Sequence, residues 1–150
     1  MPATAADAQV IMQLYDLRRE PEMRKARAWF GAEFNPKNVD DLTPLFQDMR
    51  SDANRYFRMV TSYWEMAASM VLHGAINEEL FLDSQQEFFF VFAKVTPVLQ
   101  GLREKLGSPE AMGKSETLIN KSDASKKKLQ VYIERIQRFQ AMAAAAAQKK

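Results

Sequence analysis

Between Leu42 and Met70, nine apolar residues recur at steps of four and three: Leu42, Phe46, Met49, Ala53, Tyr56, Val60, Tyr63, Ala67 and Met70. That spacing follows one face of an α-helix and cannot follow a strand, whose side chains change face at every residue. Phe57, Trp64 and Val71 form a second row beside the first. The stripe is therefore wider than the seam of a two-stranded coiled coil and requires a helix packed against several neighbours. A long core helix is predicted over about 42–72. His73-Gly74 closes it, because glycine takes the left-handed conformation beyond a helix end without a Cβ clash.

A second core helix is predicted over about 85–106. The run Phe88-Phe89-Phe90-Val91-Phe92 has strand propensity, but Phe88, Phe92, Val95, Leu99, Leu102 and Leu106 continue at helical spacing far beyond strand length. Ser84-Gln85-Gln86-Glu87 has the pattern of a capping box at its start, and Pro97 predicts a kink, since proline lacks the donor that the Ala93 carbonyl needs.

Shorter helices are predicted on either side. The first runs from about Asp7 to Arg19 with Thr4 as cap. Another is opened by Pro21 and carries Ala26, Trp29, Phe30 and Phe34 inward. Asn77 caps a short helix to Asp83, and Ser108-Pro109-Glu110 opens one ending near Asn120. A last helix carries Leu129, Tyr132, Ile133, Ile136 and Phe139 on one face. Residues 121–128 are polar and lysine-rich and are predicted to be a loop, and 143–150 a frayed tail. The whole chain, 1–150, is expected to be a single all-α domain of about six or seven helices, long enough to bury a core of its own.

The chemistry is bounded by what is scarce. The single histidine, His73, cannot supply a helical di-iron site or the usual ligands of a catalytic zinc, and its place at a helix end suits a capping role. With no cysteine there is no thiolate nucleophile and no disulfide framework, which agrees with a reducing compartment, and cytoplasm is the expected location. The five glycines fall in no phosphate-loop or dinucleotide pattern. No apolar run approaches the ~18 residues of a membrane span, and the first residues lack the basic and apolar regions of a secretory signal. Asp40-Asp41 and Glu78-Glu79 lie where helices begin, and acids there favour the positive helix end. No enzyme activity, metal or cofactor is expected.

Two features resist that reading. Glu65 is an acid beside Trp64 on a helix apolar around most of its circumference, so it is expected to need a partner: a buried pair, with Arg27, Arg55 and Arg103 as candidates, or hydrogen bonds to the carboxylate. Charge is also uneven. Residues 1–102 carry ten basic and fourteen acidic side chains, residues 103–150 eleven and five. Lys126, Lys127, Lys128, Arg135 and Arg138 form a candidate basic patch, with Lys121, Lys149 and Lys150 nearby. No aromatic side chains are interleaved among the lysines for stacking on bases, so a solvated basic end is the expectation.

The pattern Tyr63-x-Glu65, His73-Gly74-Ala75-Ile76-Asn77-x-x-Leu80, Leu102-Arg103 and Glu116-Thr117-Leu118 resembles a bacterial family known as a domain of unknown function, over about residues 10–120. The resemblance implies an all-helical fold, marks Glu65, Arg103 and Glu116 as family-pattern positions, and brings no reaction. Members of that family often carry an N-terminal membrane helix, and none is predicted here. The expected role is a non-enzymatic interaction or scaffold module whose partner is a second copy of itself or another protein. Ten Phe, nine Met, four Tyr and two Trp exceed what one small core takes, leaving some for an interface. Two alternatives stand beside it: a basic C-terminal part that binds nucleic acid or an anionic surface, and a small-ligand pocket near Trp29, Trp64 and Phe90 with Glu65 as its polar anchor.

Overall fold

The computed structural model describes residues 1–149 and, among them, holds helices but no strand. In chain order these are α1 (Ala5–Arg18), α2 (Pro21–Ala32), α3 (Thr43–Gln47), α4 (Asp52–Leu72), α5 (Glu78–Ser84), α6 (Gln86–Val95), α7 (Leu99–Leu106), α8 (Gly113–Asn120) and α9 (Asp123–Ala147), with 3-10 turns at Val39–Leu42 and Thr96–Val98. The all-α class follows the sequence. The helices are shorter and more numerous than the predicted six or seven because both long core helices are divided.

The 42–72 stripe breaks at Asp48–Ser51. Asp48 Oδ1 accepts from the Arg50 amide at 2.9 Å, Ser51 Oγ caps α4 through the Asn54 amide, and buried Asn54 reaches back to the Leu45 carbonyl at 2.8 Å. Short polar side chains here outcompete the continuous helix for backbone groups. Met49 keeps the apolar spacing across the break but is 55% exposed, so the periodicity misled at that point. In the 85–106 helix, Pro97 replaces a turn of α-helix by the 3-10 turn, and Thr96 Oγ1 donates to the Phe92 carbonyl.

Most local stops and starts stand where expected. Thr4 and Asp7 make a capping box, Pro21 is the first residue of α2, Asn77 Oδ1 accepts from the Leu80 amide, and Gly74 has φ +75°. Three differ. Ser84 ends α5 and bonds back to the Leu80 carbonyl, so α6 starts without a capping box. Ser108-Pro109-Glu110 forms a turn, and α8 begins only at Gly113, after Met112 with φ 58°. The 121–128 loop is reduced to Lys121 and Ser122, because Ser122 Oγ accepts from the Ser125 amide and starts α9 there. That helix continues through Ala147 with 141–149 exposed, rather than ending in a frayed 143–150 tail; Lys150 lies outside the described residues.

At the centre, α4 packs against α2 on one side and α8 on another, while α6 packs beneath α9. Fully buried Trp64 meets Tyr63, Phe81 and Phe88 at ring-centroid distances of 4.9, 6.3 and 6.0 Å. A second cluster joins Trp29, Phe30, Phe34 and Phe57. No helix among the described residues is long and apolar enough to cross a membrane.

One close approach fixes how the 36–42 segment lies on α7. A Cβ built on Gly101 would stand 2.7 Å from Val39 Cβ. Inside a helix alanine normally exceeds glycine by ~0.5–1 kcal/mol. Here Gly101→Ala is expected to reverse that sign and destabilise by about 1–3 kcal/mol, as overpacking does. Denaturant unfolding of the two chains measures it, and a more stable alanine variant would show that this contact yields freely.

Candidate functional site

Glu65, Arg103 and Glu116 meet at the start of α8. Met112 precedes that helix in a left-handed conformation and offers no side-chain cap. Glu65, projecting from α4, supplies it: Oε1 accepts from the Ser115 amide at 2.8 Å and Oε2 from the Lys114 amide at 3.1 Å. A carboxylate there satisfies two orphan donors and meets the positive end of the helix. Arg103 holds the same turn from α7, its Nε donating to the Ala111 carbonyl at 3.0 Å and its guanidinium pairing with Glu116. None of the arginines suggested for Glu65 bonds to it. Arg27 and Arg55 are engaged with Glu87, and with Glu22 and Asp52.

Trp29 and Trp64 do not form a pocket with Glu65. Trp64 has no exposed surface, and Trp29 packs on Phe30, Phe34 and Tyr56. Phe90 does line a 320 Å³ cleft with Arg24, Arg27 and Glu87, but neither tryptophan nor Glu65 borders it. His73 ends α4, its Nδ1 donating to the Ser69 carbonyl at 2.8 Å.

Two polar arrangements went unforeseen. Arg27 grips Glu87 in a fork, with Nε at 2.9 Å from both carboxylate oxygens and Nη2 at 2.5 Å, and also donates to the Arg18 carbonyl at the end of α1. Arg18 stacks over the Trp64 ring and lies 3.8 Å from Glu87. The second is Lys94, only 4% exposed on α6 and without a carboxylate partner among the described residues. Its Nζ donates to the Phe30 and Gly31 carbonyls at 2.7 and 2.8 Å, closing the end of α2. The sequence carries the signal: Lys94 is the one charge in the run 88–95, as Glu65 is the one charge in 59–72.

The basic patch is partly occupied. Lys128 Nζ donates to the Leu82 carbonyl and lies 4.7 Å from the centre of the Phe89 ring, and Lys126 pairs with Asp123. Lys127, Arg135 and Arg138 are exposed along α9. Next to Lys128, which also lines it, an 850 Å³ groove lies between α1, α5 and the first turns of α9, floored by Val10, Ile76, Leu82 and Phe89. Asp7, Glu78, Glu79 and Asp83 rim it. Hydrogen bonds from Thr4 and Asn77 hold the Asp7 carboxyl below its usual range, and Lys121 pairs with Glu78.

Residues 3–122 match the family model described as a domain of unknown function, DUF4760. No curated protein and no solved structure matches the chain.

Two measurements follow from these side chains. Glu65→Ala leaves two amides of α8 without their acceptor and is expected to lower stability by about 1–2 kcal/mol, with Glu65→Gln losing less because one oxygen remains. Unchanged stability in Glu65→Ala would sink the capping role. For Lys94, burial pushes the ammonium from 10.5 down to about 8, and it pushes the Tyr63 phenol from 10.0 up to about 12. Above pH 8 the unfolded chain keeps a Lys94 proton that the folded chain has shed, so stability rises with pH; above pH 10 the folded chain keeps the Tyr63 proton that the unfolded chain loses, and stability falls. Neutral Lys94 still carries two N–H donors for its two carbonyls. Urea titrations across this range are expected to show a maximum near pH 10, with the rising limb absent in Lys94→Met.

Proposed function

Since the chain belongs to the DUF4760 family, a domain of unknown function, we propose its role from its own geometry: it is a non-catalytic helical interaction module that makes contact through the C-terminal part of α9. One apolar strip carries this reading. From Leu129 through Tyr132 and Ile136 the strip is half-buried against the bundle, and from there it runs on uncovered, with Phe139 65% and Met142 67% exposed. Phe139 is the only exposed phenylalanine of ten; the others are buried or half-buried. The aromatic content expected to serve an interface is thus largely core; Phe139 and Tyr15 are exposed, and of the two it is Phe139 that continues the α9 strip. Large apolar side chains with charged neighbours on a protruding element are what a partner covers.

A second reading draws on the same element. Arg135 and Arg138 are exposed beside Phe139 and Met142, the composition of a helix that lies on an anionic surface. It predicts binding to vesicles of anionic lipid that disappears at high salt, whereas contact with a protein survives without lipid.

A photoreactive phenylalanine analogue at position 139 is expected to give a discrete protein adduct in cells producing the full chain. The same analogue at Ser62, exposed on α4, serves as control. Equal labelling from both positions, or none from either, would remove the proposal. With the analogue kept at position 139, Met142→Ser is expected to weaken the adduct while changing stability by no more than about 0.5 kcal/mol, as surface substitutions do.

A further inference from the structure

We infer that the acidic groove between α1, α5 and the start of α9 receives the exposed end of α9 from a second copy of this chain. The inference rests on the proposed contact role of α9 and names its partner. Charge and shape carry it. Glu79 and Asp83 stand four residues apart on α5, both exposed and without an ion pair among the described residues, over an apolar floor of Val10, Ile76, Leu82 and Phe89. Lys128 also lines the groove, its ammonium held by the Leu82 carbonyl, and the acids outnumber it. The end of α9 offers the complement. Phe139 and Met142 are apolar and uncovered, and Arg135 and Arg138 beside them also lack an ion pair among the described residues. The groove, at 850 Å³, falls in the ~300–1,000 Å³ range of clefts that enclose a bound group.

The placement of the two surfaces sets the symmetry. Ser122 and Ser125, at the start of α9, line the groove, and the uncovered residues lie at its other end. A helix of 25 residues spans about 37 Å, so one chain cannot fill its own groove. Two copies with their α9 helices antiparallel bring each overhang to the other's groove. The contact is then made twice about a two-fold axis, each copy giving an apolar basic end and receiving one in an apolar acidic groove. Salt weakens the paired charges and leaves the apolar burial.

Light scattering on the purified full chain is expected to give twice the monomer mass at high micromolar concentration, with dissociation favoured by salt. Reversing the groove (Glu79→Lys with Asp83→Lys) or the helix end (Arg135→Glu with Arg138→Glu) is expected to weaken the dimer by about tenfold or more. Combining all four changes in one chain should restore it. Circular dichroism and melting of each variant separate loss of association from loss of fold. A wild-type monomer, a dimer indifferent to both reversals, or a fourfold variant no tighter than the twofold ones would overturn the inference. An adduct from position 139 together with a wild-type monomer would overturn this inference alone and leave the interaction role to a different partner.

Discussion

Every helix leaves amide and carbonyl groups at its ends without partners inside the helix, and a bundle of short helices has many such ends to satisfy under its own surface. In this chain local caps serve most helix starts, and several other ends are satisfied from a distance. Arg27 donates to the Arg18 carbonyl at the end of α1, and Tyr63 to that of Leu14 a turn earlier; Lys94 serves the end of α2 and Lys128 the end of α5; Glu65 serves the start of α8. Each of these side chains comes from another helix. The polar groups that look most like chemistry, a buried lysine, a lone acid and a forked arginine pair, are therefore the fasteners that let apolar faces close over helix ends.

That division explains which parts of the structure were legible. Caps that lie within three residues of their helix start, at Thr4, Asn77 and Ser122, are written in contiguous sequence and could be read or nearly read there. Caps supplied by a different helix have no local signature. Glu65 stands out because it interrupts an apolar surface, and of the two outcomes its sequence allows, an arginine pair or a hydrogen-bonded carboxylate, the second holds; nothing local says that the donors are the amides of α8. Lys94 carried the same signal within an apolar run. The break at 48–51 was hidden for another reason: Met49 satisfies the helical spacing while its polar neighbours satisfy a turn, and periodicity weighs only the first.

The same view bears on function. Glu65, Arg103 and Glu116 are all spent on one turn, residues 111–116, and so serve the building of the bundle. The acidic rim of the groove lies among residues 3–122, which match the family model, and the exposed apolar end of α9 lies beyond them.

The capping of α8 by a residue fifty positions earlier has a consequence for how the molecule assembles. Eight residues are too few to hold a helix in water unaided, since nucleation is unfavourable and each added residue returns little. The first turn of segment 113–120 is therefore complete only with α4 in place, and bringing the two together closes the chain between them as a loop, so the stability of α8 is tied to that long-range contact and not to its own sequence.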